Sequence, residues 1–538
     1  MLRIPTRHAP AAVVCLVLAA SHTWPLITQP AALSLNSHAD AALNEWILAW
    51  IAHQLPRAPL ALFDANIFYP ARMSLAFSEP LLLQGLAAAP LAWLGASPVI
   101  VYNLMLLAGL ALTAFSAYAL VFSWTQDRAA GLVAASAFAF NAHTLARLAH
   151  LQAIHLYGLP LLLFGIDRVI ARPRVRPALW VACSLVVLAW TSGYLIVFGA
   201  VAAAVVLLVR VGEWRAHSRS VLTQLAVAAV VAAAAILPVY LAYRWVAREY
   251  SMGRTLEHVA QFSATLPGYV ATPARLHAFW SGRFLGDPGV NAFFAGCVVI
   301  LLATAAILLA HTNRRRVVAL VAVAAAGVLL SLGTATPIYG WLFSVLPPMQ
   351  SLRVASRFGN LYLLAMALLA GVGSAVIRRR ITSRAVAALI GVVAIAAVNL
   401  ESAVAPIRYD RFEGIPRIYA LLTSEPDPVV LMEFPIPPPQ LVHENAPYVL
   451  ASTAHWRKLV NGYSGYVPAS YRRLQPAFSY FPDPHAVQAM REAGVTHVMV
   501  HPSRAGIDGE KVIRGAEASP ALERVALGPD GIRLFRLR

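Results

Sequence analysis

The stretch NSHADAALNEW (36–46) sets His38, Asp40 and Glu45 just beyond an apolar run that ends near Ile27. A carboxylate beside apolar surface holds its proton more tightly, which suits a general base unless cations keep it ionised. Asp40 also precedes AALNEWILAW, where an acidic side chain satisfies the free N–H groups of a helix start. Base and cap both stay open on these residues. Further on, DANIFYPARMSLAFSEP (64–80) carries Asp64, Tyr69, Arg72 and Glu79 in what reads as a solvated turn with aromatic interface anchors.

Three more stretches carry chemistry. In NAHTLARLAHLQAIH (141–155), helical spacing puts His143, Arg147 and His150 on one face, with Gln152 and His155 following, a pattern that can hold an anion. The spacing lacks a tight two-ligand unit and a carboxylate, so it does not indicate zinc. SLRVASRFGN (351–360) places Arg353 and Arg357 four residues apart, either as a bidentate phosphate clamp or as lipid-headgroup anchors. HWRKLVNGYSGYVPASYRR (455–473) gathers Trp456, Tyr463, Tyr466 and Tyr471, which either stack a sugar acceptor or pack against the rest of the chain. P-loop, GxGxxG, CxxC, HExxH and GxSxG patterns are absent. Cys15, Cys183 and Cys297 sit in apolar runs and form no disulfide framework or metal spacing. The residues indicate no cofactor and no metal.

These residues need elements to hold them, and the composition says which. Of 538 residues, 59% are hydrophobic and 12% charged, as in a polytopic membrane protein rather than a soluble domain. Apolar runs lie near 10–27, 98–123, 129–142, 156–171, 177–191, 194–210, 220–242, 290–310, 317–333, 358–377 and 384–402. Residues 177–210 divide at TSGY (191–194), which keeps the flanking arginines on one side. The run 80–95 is short and contains Pro90; taken as interfacial or re-entrant, it leaves about 11 transmembrane helices.

Charge orients them. The net charge is +18, and residues 1–404 hold 27 arginines, no lysine and 11 acids. With the N-terminus inside, short inside segments hold 17 of those arginines and the longer outside loops 10. The basic excess therefore reads as an orientation signal with phosphate contacts, not as a nucleic-acid surface. Arg3 and Arg7 before the first apolar run fit an uncleaved first helix better than a signal peptide. The first outside loop is then about 28–97, with two amphipathic helices lying on the membrane. From about 405 the chain changes: PDPVVLMEFPIP, then a helix–Gly–strand in 484–502, then two strands around Pro529-Asp530-Gly531. The expected domains are 1–404 in the membrane and 405–538 as a small soluble extracytoplasmic α/β domain.

Several stretches carry a family likeness: HADAALNEWILAWIAHQL, LFDANIFYPARMSLAFSEPLLLQG, SPVIVYNLMLLAG, QSLRVASRF and STAHWRKLVNGYSGYVPASY. With the long acid-headed outside loop and the bundle of short helices, they resemble the GT-C superfamily of polytopic glycosyltransferases. Its members include the protein O-mannosyltransferases and lipid A aminoarabinose transferases. The nearest likeness is to a bacterial multi-pass membrane family within or near it. The resemblance implies transfer of a sugar from a polyprenyl-phosphate donor to an extracytoplasmic acceptor, inverting, at the bacterial cytoplasmic (inner) membrane. It implies Asp40 as the base and Arg353 and Arg357 on the donor phosphate.

Several members of that superfamily carry a second acid in the outside loop after the third span. Here that loop offers His150, Gln152 and His155, so Glu79 or Asp64 is left to supply it. His38, Tyr69, His150 and His155 are assigned supporting roles, and Trp456, Tyr463 and Tyr466 acceptor binding. The implied partners are the lipid-linked sugar, the bilayer and an acceptor. The alternatives are a lipid-linked sugar transporter, whose nearest intramembrane charges would be Asp167 and Arg168, and a non-catalytic assembly factor on the same scaffold.

Overall fold

The structure, a computed structural model, describes residues 8–284 and 291–538. Arg3 and Arg7 lie outside the described residues. Up to residue 404 the helices of nine or more residues are α1 (Ala9–His22), α2 (Ala39–Gln54), α3 (Leu82–Trp93), α4 (Pro98–Thr125), α5 (Arg128–Ala139), α6 (Gly158–Ala171), α7 (Val175–Thr191), α8 (Gly193–Val209), α9 (Ser218–Glu249), α10 (Cys297–Leu309), α11 (Arg314–Ser331), α12 (Pro337–Val345), α13 (Gly359–Arg379) and α14 (Arg384–Ser402). Each of the eleven apolar runs forms one of them. Among the described residues, five helical stretches are long and apolar enough to cross a membrane. Others, such as α5 with 12 residues, rise only about 18 Å against a hydrocarbon core of ~30 Å.

The chain divides into two compact units, whose boundaries fall partly inside α4 and α9. The first holds 1–29, 103–239 and 253–408. Local chemistry sets its helix ends. Asp127 caps α5 by accepting the N–H groups of Ala129 and Ala130. The split at TSGY is present: Ser192 is extended (φ −162°, ψ 139°), ends α7 and caps α8 through the Tyr194 N–H. At the unit's centre α13 packs against α5, α10 and α11. Its small residues permit that approach, because a Cβ on Gly371 or Gly373 would run into Ala130 or Leu302. Asp167 of α6 ties further helices together. It accepts from Arg210 (2.8 Å), from Arg316 of α11 (3.0 and 3.1 Å) and from Trp124 of α4 (3.3 Å).

The second unit joins 409–538 to 30–102 and 240–252. The expected soluble segment thus falls inside it together with most of the first outside loop. Its five-stranded sheet runs in the order β4-β3-β5-β7-β6, formed by Val430–Phe434 (β3), Lys458–Leu459 (β4), His497–Val500 (β5), Leu522–Leu527 (β6) and Arg533–Leu537 (β7). Strands β4, β3 and β5 are parallel; β7 pairs antiparallel with β5 and β6. The helix–Gly–strand pattern appears as Pro484–Glu492, Gly494 at φ +82° and β5. A further pair, Leu33–Ser34 (β1) with Asp410–Arg411 (β2), ties the start of the loop to the start of the C-terminal segment.

One expectation about this unit is corrected. Helix α2 is not an amphipathic helix with one face on the membrane: residues 41–48 and 50–52 are buried on every side, as in a core helix. It packs on α3 and on the short helix Ala446–Ala451. The approach of α3 relies on Gly85, where a Cβ would press into Ile51. Helix α3, within the run 80–95, has 12 residues and rises about 18 Å.

Candidate functional site

In the second unit the candidate base stands at the start of α2. His38, not Asp40, caps the helix: its Nδ1 accepts the Asp40 N–H at 3.2 Å. Asp40 sits in the first turn, where the helix dipole favours a negative charge. Its Oδ1 accepts the hydroxyl of Tyr463 at 2.7 Å. The Tyr463 ring packs with Ala39, Ala42 and Phe412 beside Ala446 and Leu450, which fixes the hydroxyl on the carboxylate. The structure therefore brings Tyr463, named in a different stretch, to His38 and Asp40.

Five residues further on, Glu45 is fully buried. Its Oε1 accepts from Ser34 Oγ at 3.2 Å, and Ser34 Oγ in turn accepts the Asn36 N–H. Oε2 has no hydrogen-bond partner. Burial pushes the carboxyl up to about 8, against the bonds from Ser34 and Asn36 that favour its ionised form. Sequence reasoning noted Glu45 and gave it no role; its place on the inward face of a helix buried all round is the signal that was missed.

The other residues of this unit take structural places. Asp64 is exposed and accepts the Met73 N–H at 2.9 Å, closing a turn in which Met73 is left-handed at φ +53°. Glu79 is half-buried beside Ser78, whose carbonyl accepts from Tyr243 at 2.5 Å. Tyr69 donates its N–H to Leu459 and lies under the Lys458 ammonium. Two acceptor-binding assignments meet packed rings instead. Trp456 stacks on His53 at 4.3 Å and leans on Trp50 of α2, while Tyr466 donates to the Tyr250 carbonyl at 2.9 Å and packs on Phe77.

The first unit holds the basic residues. The segment 352–354 is extended and Ala355–Phe358 is a 3-10 turn, so Arg353 and Arg357 do not share an α-helical face. Tyr194 organises them instead. Its hydroxyl accepts the N–H groups of Arg353 and Val354, both at 2.9 Å, and its ring carries the Arg357 guanidinium at 4.5 Å. Arg353 lies over Phe262 at 4.7 Å. Both guanidiniums are half-buried on aromatic faces, a setting that orders their donors. Tyr194 lies in the TSGY break, which the sequence offered only as a helix boundary.

The shared face of His143, Arg147 and His150 is not formed. Helix Ala142–Leu145 lasts one turn, and a 3-10 turn begins at Leu151. His143 is buried against Phe293, with Nδ1 3.0 Å from the Ala292 carbonyl. Burial, then Arg147 and Arg357, holds its proton affinity well below the usual imidazole range. His155, assigned a supporting role, is a packed core residue. Nε2 lies 3.0 Å from the Met105 carbonyl, and the ring fills the space a Cβ on Gly109 would need. His150 is half-buried and precedes the 3-10 turn. Among the described residues no three His, Cys, Asp or Glu side chains group to hold a metal.

No protein-family model matches the chain, and no curated protein matches it. Solved structures do. The arabinofuranosyltransferase AftD from Mycobacteria superposes with a TM-score of 0.62 at 17% identity, over 98% of this chain and 39% of that one. The archaeal oligosaccharyltransferase AglB from Archaeoglobus fulgidus, in complex with an inhibitory peptide and a dolichol-phosphate, gives 0.52 at 12%, over 96% and 72%. The Archaeoglobus fulgidus oligosaccharyltransferase with Zn and sulfate gives 0.53 at 14%, over 94% and 70%. The chain has the GT-C fold. It is a multi-pass membrane protein that spans about two fifths of the length of AftD.

Within this fold one further polar group escaped sequence reasoning. Glu401, at the end of α14, accepts from His277 Nε2 at 3.0 Å and from the N–H groups of Cys297 and Val298, capping α10. With the Trp280 N–H on His277 Nδ1, it ties a loop to two helices and reads as structural.

Proposed function

We propose that the protein is a GT-C-type glycosyltransferase that moves a sugar from a polyprenyl-phosphate donor to a hydroxyl-bearing acceptor on the extracytoplasmic side, with the N-terminus cytoplasmic. The observation that carries the reading is Asp40: a half-exposed carboxylate in the first turn of α2, held by Tyr463, on a fold shared with two glycosyltransferases. In the reaction Asp40 takes the proton of the acceptor hydroxyl as its oxygen bonds to the anomeric carbon. The bond from that carbon to the phosphate oxygen breaks on the opposite face, so the configuration inverts and polyprenyl phosphate leaves. Arg353 and Arg357, pre-ordered by Phe262 and Tyr194, stabilise the charge that develops on the phosphate. The dolichol-phosphate in the AglB complex supports a lipid phosphate as the leaving group.

Glu45, fully buried with one carboxylate oxygen unbonded, is proposed as the second acid in place of Asp64, which is exposed in a turn, and Glu79. The transport alternative loses support because Asp167, its nearest intramembrane charge, is locked by two arginines and an indole. The test is release of polyprenyl phosphate from a panel of synthetic polyprenyl-phosphate hexoses and pentoses. Asp40→Asn, purified as a protein that elutes like the wild type, is expected to lose at least about 100-fold in turnover. Turnover equal to the wild type would refute the assignment of the base.

A further inference from the structure

The connector between α11 and α13 runs from 332 to 358. From residue 317 to 352 it and α11 contain no Asp, Glu, Lys, Arg or His; the charges resume with Arg353. Inside that stretch lies α12, nine residues with Pro337 at its start. It rises about 13 Å, far too little to cross a bilayer. One of its faces is turned inward: Tyr339 is fully buried, with its ring set edge-on to Phe358, while Leu342 and Phe343 pack on the unit's core. The other face is bare. Ile338, Trp341 and Val345 recur at i, i+3 and i+7, one stripe of a helix, and are 45%, 63% and 55% exposed.

A stripe of that kind needs a cover, since soluble surfaces seldom leave contiguous large apolar side chains in water. What covers it is indicated by its continuity with neighbours. Val318, Val321 and Leu329 are exposed along α11, and Leu346 follows the stripe directly. Leu266, 67% exposed, belongs to the segment whose Ala264 N–H bonds to Ser331 at the end of α11. A Trp at the edge of an apolar surface is the residue that sits at a membrane–water boundary.

We propose that α12 is seated in the bilayer, its Ile338–Trp341–Val345 stripe covered by the acyl chains of the leaflet opposite the Arg314–Arg316 run. One consequence bears on the reaction. The Arg353–Arg357 segment begins eight residues after Val345 and is pinned by Tyr194, so a seated α12 holds these guanidiniums at the depth of lipid phosphates. A lipid-borne phosphate then reaches them without leaving its leaflet. The seating of α12 stands without the transferase reading; only the meaning given to the arginines rests on it.

Nitroxide accessibility tests the seating without any turnover. In the full chain with Cys15→Ala, Cys183→Ala and Cys297→Ala, single variants Ile338→Cys, Trp341→Cys and Val345→Cys are spin-labelled in phosphatidylethanolamine–phosphatidylglycerol vesicles. Collision with oxygen is compared with collision with a water-soluble nickel chelate. Val393→Cys, on an exposed apolar position of α14, serves as the lipid reference, and Glu510→Cys as the water reference. All three labels are expected to favour oxygen as the 393 label does. Nickel collision like that of the 510 label would overturn the proposal. So would weak collision with both reagents, which would mean that protein covers the stripe. The labelled positions are exposed, Cys15→Ala alone alters a buried side chain, and size exclusion of the cysteine-free background confirms its fold.

Discussion

At the scale of single residues, the candidate base is an arrangement of three side chains. His38 takes the capping duty, which leaves the Asp40 carboxylate for the Tyr463 hydroxyl. The sequence raised cap and base for Asp40 as rivals; the structure gives the cap to its neighbour. Glu45 makes the sharper prediction. Its folded carboxyl is raised to about 8 from an ordinary 4.5, so the folded state keeps a proton that the unfolded chain releases. Stability is then unaffected below about pH 4.5, falls as the pH rises toward 8, and levels off above it. The whole effect is on the order of 5 kcal/mol. Glu45→Gln, which stays neutral, is expected to flatten the fall of the thermal midpoint between pH 5 and 8.5. An unchanged slope would mean that Glu45 does not carry it. Histidines were the least legible residues. His143 was read on a shared polar face and His155 in a supporting role, yet one lies against Phe293 and the other over Gly109. An imidazole satisfied by a backbone carbonyl looks the same in sequence as one that awaits a ligand.

At the scale of elements, helices were readable wherever hydropathy alone decides, and unreadable where a distant partner does. The apolar runs became helices because their composition demands it locally, and the break at TSGY followed from charge. Helix α2 was misjudged because WILAWIAHQL looks amphipathic until Trp456, some four hundred residues away, covers His53 and Trp50. The i,i+4 argument for Arg353 and Arg357 assumed a helix that starts only after them. Among the elements of the first unit, α4, α6 and α11 share one charged node at Asp167. Without the Asp167 charge, Arg210 keeps Glu213 and the partly exposed Arg316 keeps Asn313, but the link between them is lost. Asp167→Asn is therefore expected to destabilise the folded protein by about 1–3 kcal/mol, read as a lower thermal midpoint in detergent. A midpoint within one degree of the wild type would show that the node is not buried in solution.

For the molecule as a whole, the GT-C fold was legible because it lies in the order of features: a first helix, a long acid-headed loop, a bundle of short helices, then strands. The compact units were not. Residues 30–102 fold with 409–538, an association that depends on pairings such as Leu33 with Arg411 and Asp40 with Tyr463 across the length of the chain. No local pattern announces them. The C-terminal segment is on this account a holder of the candidate base, since Tyr463 comes from it. The most direct test is a structure determined with a non-hydrolysable polyprenyl-phosphate sugar analogue. The account predicts phosphate density against the Arg353 and Arg357 guanidiniums, beside Tyr194. Phosphate density at any other place, with both guanidiniums still lying on Phe262 and Tyr194, would contradict it.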